Sequence, residues 1–283
     1  MFVVYPYVNS ICYSFTDWMG VGPKKFIGFS NYMKLFTDPL LSKEFWRAFS
    51  HSTIIFGAST IFAVILGLAL AFLLAAPRLK GRGFFRALYF LPYILPPVAY
   101  GFVWRYILNP RIGSLNEILK SIGLAAWAQP WLGSIELALP TVIGVWCMKQ
   151  AGLYILFFEA GILSIPNILR DAALVDGCTR WQQIWYVELP LLKPTFITLV
   201  MFNFINSFGA FDLLFALTGI EGRPLGTTDV LATFFYRTAF GTTTHPFGWG
   251  LGMGAAVACV VALFLVSVSF VFIVIRQRSY VEY

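Results

Sequence analysis

Apolar runs of bilayer-crossing length recur along this chain, and they limit its fold more than any other feature. The clearest are residues 51–76, 84–108, 136–158, 191–217 and 247–275, with polar loops between them. A helix needs about 20 apolar residues to cross a hydrocarbon core roughly 30 Å thick. The runs are continuous rather than alternating, which speaks against a transmembrane barrel. Only 12% of the residues are charged, against about 25% in ordinary soluble domains. The expected class is an all-α polytopic membrane protein, with residues 1–283 forming one transmembrane domain.

Residues 1–16 are apolar too, but incomplete as a span. Phe2 to Phe15 is 14 residues, about 21 Å of helix. This stretch reads as the outer part of a first span whose start is missing or shortened, or as an interfacial helix. It lacks the basic region and small-residue cleavage site of a signal peptide. Pro92, Pro96 and Pro97 predict a kink in the 84–108 span. Gly248, Gly250, Gly252 and Gly254 open the last span with residues that permit close helix packing.

The net charge of +7 is spread around the spans. No basic patch with interleaved aromatics stands apart from them, so no nucleic-acid partner is expected. The short turn 77–83 carries Arg78, Lys80 and Arg82, which favours its side as cytoplasmic, although Lys and Arg divide almost evenly overall. Cys12, Cys147, Cys178 and Cys259 are isolated and read as small hydrophobes rather than a disulfide frame. No metal site is expected, since His51 and His245 are far apart. No catalytic site is expected either, because a nucleophile elbow and paired carboxylates are missing. There is no glycine-rich phosphate loop, so this chain should bind no nucleotide itself.

The longest polar interruption with helical grammar is 165–190. Pro166 and Asn167 suit a helix start, with Asn as a cap, and Asp171 lies near that positive end. Gly177 supplies a left-handed stop. Thr179 with Gln182 fits a capping box for a second helix, which Leu189-Pro190 ends. Ile168, Ala172 and Val175 share one face, and Trp181, Ile184 and Trp185 another. A rigid hairpin of this kind, set between spans, is suited to docking.

The flanking spans carry polar groups at membrane depth. Asn203 and Asn206 fall about 15 and 20 Å from Lys193 along a helix, and Lys149 and Gln150 about 20 Å from Glu136. Such groups face a bundle interior or a wet cavity. They either line a solute path or hold helices together, and Lys149 alternatively snorkels to the interface. Asp212 reads as a polar group at a helix end near the outer interface.

Asp171-Ala172-Ala173, three residues, Gly177, nine residues, then Val187-Glu188-Leu189-Pro190 resembles the EAA signature of ABC importer permeases. Asp171 stands for the usual Glu and Val187 for the usual Ile. Ala160–Pro166, Leu189–Pro194, Phe90-Leu91-Pro92 with Asn109-Pro110, and Tyr236–Phe240 are similar to the maltose-importer-like, sugar-type branch. The sequence departs from that branch after Leu217-Thr218-Gly219, where Ile220-Glu221-Gly222-Arg223-Pro224 replaces a Gly-Gly-Pro run.

The resemblance implies a six-transmembrane-helix permease core with a cytoplasmic coupling hairpin. Asp171, Ala172, Ala173, Asp176, Gly177, Leu189 and Pro190 would seat it on a separate ATPase. ATP and Mg would bind that partner, and this chain would hold no cofactor. The other implied partners are a homologous second permease, two ATPase subunits in all, and a periplasmic or lipid-anchored binding protein. The setting would be a bacterial or archaeal cell membrane. The solute would be a carbohydrate or related polyol. Its path is expected at Met148, Gly152, Phe202, Ile205, Asn206 and Gly209, with Lys149 suggesting an anionic sugar or glycerol phosphate. The competing class is an ion-gradient-driven secondary transporter, which needs membrane carboxylates that these spans nearly lack. A non-transporting scaffold is a third reading.

Overall fold

The computed structural model describes residues 4–76, 79–242 and 248–278. Pro77 and Arg78 of the basic turn, His245, and Phe247 at the expected start of the last span lie outside them. So do the first three residues of the expected initial span.

The helices are α1 (Val4–Ser14), α2 (Ser30–Thr37), α3 (Pro39–Ala75), α4 (Arg82–Ile94), α5 (Pro97–Ile107), α6 (Ser114–Ser121) and α7 (Ile135–Ser164). Next come α8 (Asn167–Val175), α9 (Arg180–Gln183), a π-helical turn (Ile184–Glu188), α10 (Leu189–Leu191) and α11 (Lys193–Phe208). The last are α12 (Asp212–Thr218), α13 (Leu231–Phe240) and α14 (Leu251–Arg278). Among the described residues, α3, α7 and α14 are each long and apolar enough to cross a membrane. By length and composition, two bent pairs would also qualify if each is one span: α4 with α5, and the α9–α10 segment with α11, bent by 61°. The described part of α1 has 11 residues, about 16 Å of helix.

Several boundaries differ from the sequence expectation for physical reasons. Helix α3 starts at Pro39 rather than near His51. Pro39 takes the first helical position, where its missing N–H costs nothing, and the Asp38 carboxylate accepts from the Leu40 and Leu41 N–H groups at 3.0 and 2.9 Å. The expected 191–217 span is interrupted: α11 stops at Phe208, and α12 restarts at Asp212, whose carboxylate sits in a first turn where it complements the dipole. Helix α14 begins at Leu251 because Gly248 and Gly250 adopt positive φ (54° and 92°), outside helical geometry. Gly252 and Gly254 do permit close packing: an added Cβ would collide with the Thr16 carbonyl and with Ala239.

Contacts cluster into two compact units. The first comprises Met1–Ile55, Pro97–Gly144 and Asn206–Ser267. In it α5 packs on α12 where Gly101 abuts Ala216; a Cβ there would lie 2.7 Å from the alanine methyl. Phe49, Phe208 and Phe264 interlock edge-to-face or tilted, with centroids 5.2–5.8 Å apart.

The second unit comprises Phe56–Pro96, Val145–Ile205 and Val268–Tyr283. Its core joins Ala63 and Ala71 of α3, Tyr154, Phe158 and Ile162 of α7, and Leu192 with Leu199. Gly67 lets α3 approach α7 so closely that a Cβ would meet the Tyr154 Cβ at 2.7 Å. The Tyr154 hydroxyl donates to the Leu199 carbonyl at 3.2 Å, satisfying a buried polar group.

Candidate functional site

The hairpin is built by local rules. Helix α8 ends in a Schellman motif: Gly177 has φ +78°, its N–H reaches the Leu174 carbonyl at 3.0 Å, and the Cys178 N–H reaches Ala173 at 2.9 Å. Thr179 and Gln182 form the capping box, with the Thr179 N–H donating to Gln182 Oε1 at 2.7 Å. Asn167 is not a cap. Pro166 holds that position, and Asn167 is the first helical residue, its amide oxygen 3.5 Å from Arg170. Pro190 does not end the second helix either. Lacking an N–H, it follows a five-residue π turn, and the chain stays helical to Leu191 before bending at Leu192.

Of the expected coupling residues, Asp171, Ala172, Asp176, Gly177 and Pro190 are exposed, Leu189 is half-buried and Ala173 is buried against the hairpin. Val175 is 87% exposed at the end of α8 with Leu174 beside it, and Ile168 is exposed near the start of that helix. Exposed apolar surface of this kind marks interaction sites.

The sequence reading did not anticipate what locks the hairpin. Glu188 is fully buried and accepts from Arg170 Nε at 3.0 Å and from Arg180 Nη1 at 2.6 Å. Arg170 also donates to the Ile162 carbonyl at 2.5 Å. One carboxylate thus ties α8, the start of α9 and the end of α7 together through charge-assisted bonds. A second buried carboxylate, Glu159, takes a bidentate pair from Arg86 at 2.9 and 2.5 Å. A third, Asp229 in the first unit, accepts from Arg237 at 2.9 and 3.0 Å and from Thr233 at 2.8 Å, while Glu44 takes Arg237 at 3.1 Å. Burial alone would lower the Arg237 pKa, but Asp229 and then Glu44 outweigh it, so the value is raised and the charge held. Arginine and carboxylate in otherwise apolar segments was the available sequence signal; Arg180–Glu188 and Asp229–Arg237 are eight residues apart, whereas Arg86–Glu159 and Glu44–Arg237 are far apart in sequence.

The expected solute-path residues divide. Lys149 is buried, and its ammonium donates to the carbonyls of Pro92, Tyr93 and Leu95 at 3.1, 3.1 and 2.7 Å. These carbonyls lie where prolines interrupt the ladder between α4 and α5. Lys149 therefore caps the break in this span, its ammonium turned to backbone carbonyls rather than snorkelling to an interface. Gly152, one turn on, is a packing residue: a Cβ would lie 2.5 Å from the Tyr89 carbonyl. Asn203 is likewise glue, donating to Ser59 Oγ and Thr60 Oγ1 at 2.8 Å each. In contrast, Met148 on α7 and Phe202, Ile205 and Asn206 on α11 are exposed, as is Gly209 just past the end of α11. Phe202, Ile205 and Asn206 recur at the spacing of one helix face.

The family model described as binding-protein-dependent transport system inner membrane component matches residues 52–279. The chain is 32% identical over 242 residues to the probable ABC transporter permease protein YurN of Bacillus subtilis (strain 168), covering 85% of this chain and 81% of that one. It is 31% identical over 238 residues to the probable starch degradation products transport system permease protein AmyD of Thermoanaerobacterium thermosulfurigenes, covering 84% and 78%. A solved bacterial ABC transporter involved in the import of the acidic polysaccharide alginate superposes with a TM-score of 0.80 at 25% identity, covering 98% of this chain and 90% of that one. The chain belongs to the binding-protein-dependent transport system inner membrane component family, as a multi-pass membrane permease.

Proposed function

We propose that this chain is the permease subunit of an ATP-driven, binding-protein-dependent importer of a carbohydrate. The hairpin carries the reading. Its Schellman stop, capping box and Glu188 clasp make a body stiff enough to transmit a displacement, and its helix α8 exposes Ile168, Leu174 and Val175 for a partner. That partner is an ATPase subunit holding ATP and Mg, seated against Asp171, Ala172 and Gly177 on the cytoplasmic side of a bacterial or archaeal membrane. A homologous second permease and an external binding protein complete the assembly. Two relatives whose names specify starch degradation products and alginate support a carbohydrate as solute.

Within the chain, the path is assigned to the exposed face of α11 bearing Phe202, Ile205 and Asn206, with Met148. An aromatic ring stacks on sugar C–H faces and an amide bonds hydroxyls.

Ion-gradient coupling finds no support. The buried carboxylates among the described residues, Glu159, Glu188 and Asp229, are each held by arginine, whereas a proton or cation site needs one that can change partners. Reversing charge at Asp171 or placing Pro at Gly177 tests the coupling assignment in proteoliposomes. The expected result is loss of ATP-driven uptake while the permease still reaches the membrane; full uptake in both variants removes the hairpin from the coupling path.

A further inference from the structure

A groove of about 1000 Å³ runs along the last turns of α3 and under the hairpin in the second unit. Its walls are apolar from Val64 to Ala76, and Trp181 and Trp185 stand at the hairpin side with Ile184 between them. Its charged side chains are Arg170 and Arg180. We infer that this groove binds a phospholipid with an anionic headgroup.

Length, charge and residue type agree on that occupant. Val64 to Ala76 covers about 18 Å of helix, close to half of a roughly 30 Å hydrocarbon core, which is one acyl leaflet. Helix α3 is long and apolar enough to cross a membrane and ends at Ala75, which puts the groove's open end toward the headgroups. The arginines are at that end, because Arg170 bonds the Ile162 carbonyl near the close of α7. Two guanidinium groups share the single carboxylate of Glu188, leaving one net positive charge at the mouth. Arg180 keeps 55% of its side chain exposed beside that carboxylate, within reach of a phosphate. Tryptophans spaced one turn apart are the side chains favoured at a membrane–water boundary. A basic pocket between helices at that depth fits an anionic headgroup.

The assembled transporter, reconstituted in phosphatidylethanolamine vesicles with either brominated phosphatidylglycerol or brominated phosphatidylcholine, provides the test. The difference in tryptophan quenching between wild type and the W181F/W185F variant isolates these two indoles. At equal mole fraction, the glycerol lipid should quench them about fivefold more effectively, the factor one basic charge supplies near anionic lipid. Arg180→Gln should bring that ratio close to one, and Arg180→Lys should retain most of it. Equal quenching by both lipids in wild type overturns the headgroup assignment. Quenching by neither overturns the lipid itself and assigns the groove to a segment of a neighbouring subunit.

Discussion

Lys149→Met removes one ammonium and keeps an unbranched side chain of nearly the same volume. In the native structure that ammonium donates to three carbonyls at the break between α4 and α5. Methionine fills the same volume but donates nothing. Leaving three part-buried carbonyls short of a donor costs up to roughly 1–3 kcal/mol each, and ending the ammonium's own desolvation returns several, so the net loss is about 3 kcal/mol. For a domain of this size about 3 kcal/mol corresponds to a fall of roughly 6–12 °C in Tm. Thermal unfolding of the purified complex reads that directly. Uptake of neutral and anionic sugars should fall together, since the lysine supports a helix rather than a ligand. An unchanged Tm with selective loss of anionic solute would refute this reasoning and return Lys149 to the solute path.

Other substitutions probe the remaining contacts. Glu188→Gln removes the charge that two arginines share; breaking a buried pair costs about 3–5 kcal/mol, so ATPase activity should become poorly coupled to uptake, and equal coupling ratios in variant and wild type would discount the clasp. Gly177→Ala places a side chain at φ +78°, a penalty of about 1–2 kcal/mol, visible as increased proteolysis near residue 177; an unaltered digestion pattern would mean the turn adapts freely. Gly152→Ala forces α7 off the Tyr89 carbonyl, overpacking worth about 1–3 kcal/mol, and a stability equal to wild type would show that the contact is slack. Phe202→Ala should raise the KM for uptake and leave Tm nearly unchanged, because its ring is exposed; a large Tm loss would identify it as packing.

The spans were legible as continuous apolar runs, and the hairpin stop and capping box were legible as Gly177 and Thr179/Gln182, because those signals are local. Helix breaks were partly legible. Three prolines announce a kink between Phe84 and Leu108, but the lysine that bonds the opened carbonyls lies over fifty residues away in sequence. The early start of α3 was hidden because residues 39–50 are polar on one side, and only the fold shows Glu44 and Arg47 meeting Arg237 and Asp229. Asn203 and Lys149 illustrate the same limit. Membrane depth shows that a polar group needs a partner, and the partner's identity is tertiary information. Glu188 occupies a position the family signature leaves unspecified, so its neighbours in sequence carry no hint of the two arginines it joins.

This chain is proposed to move a carbohydrate under power supplied by an ATPase partner. Uptake of radiolabelled oligosaccharide by proteoliposomes holding the complete assembly tests it most directly. The expected result is uptake that requires both ATP and the binding protein, survives an uncoupler, and disappears with Gly177→Pro. Uptake that proceeds without ATP and collapses when the ion gradient is discharged would contradict it.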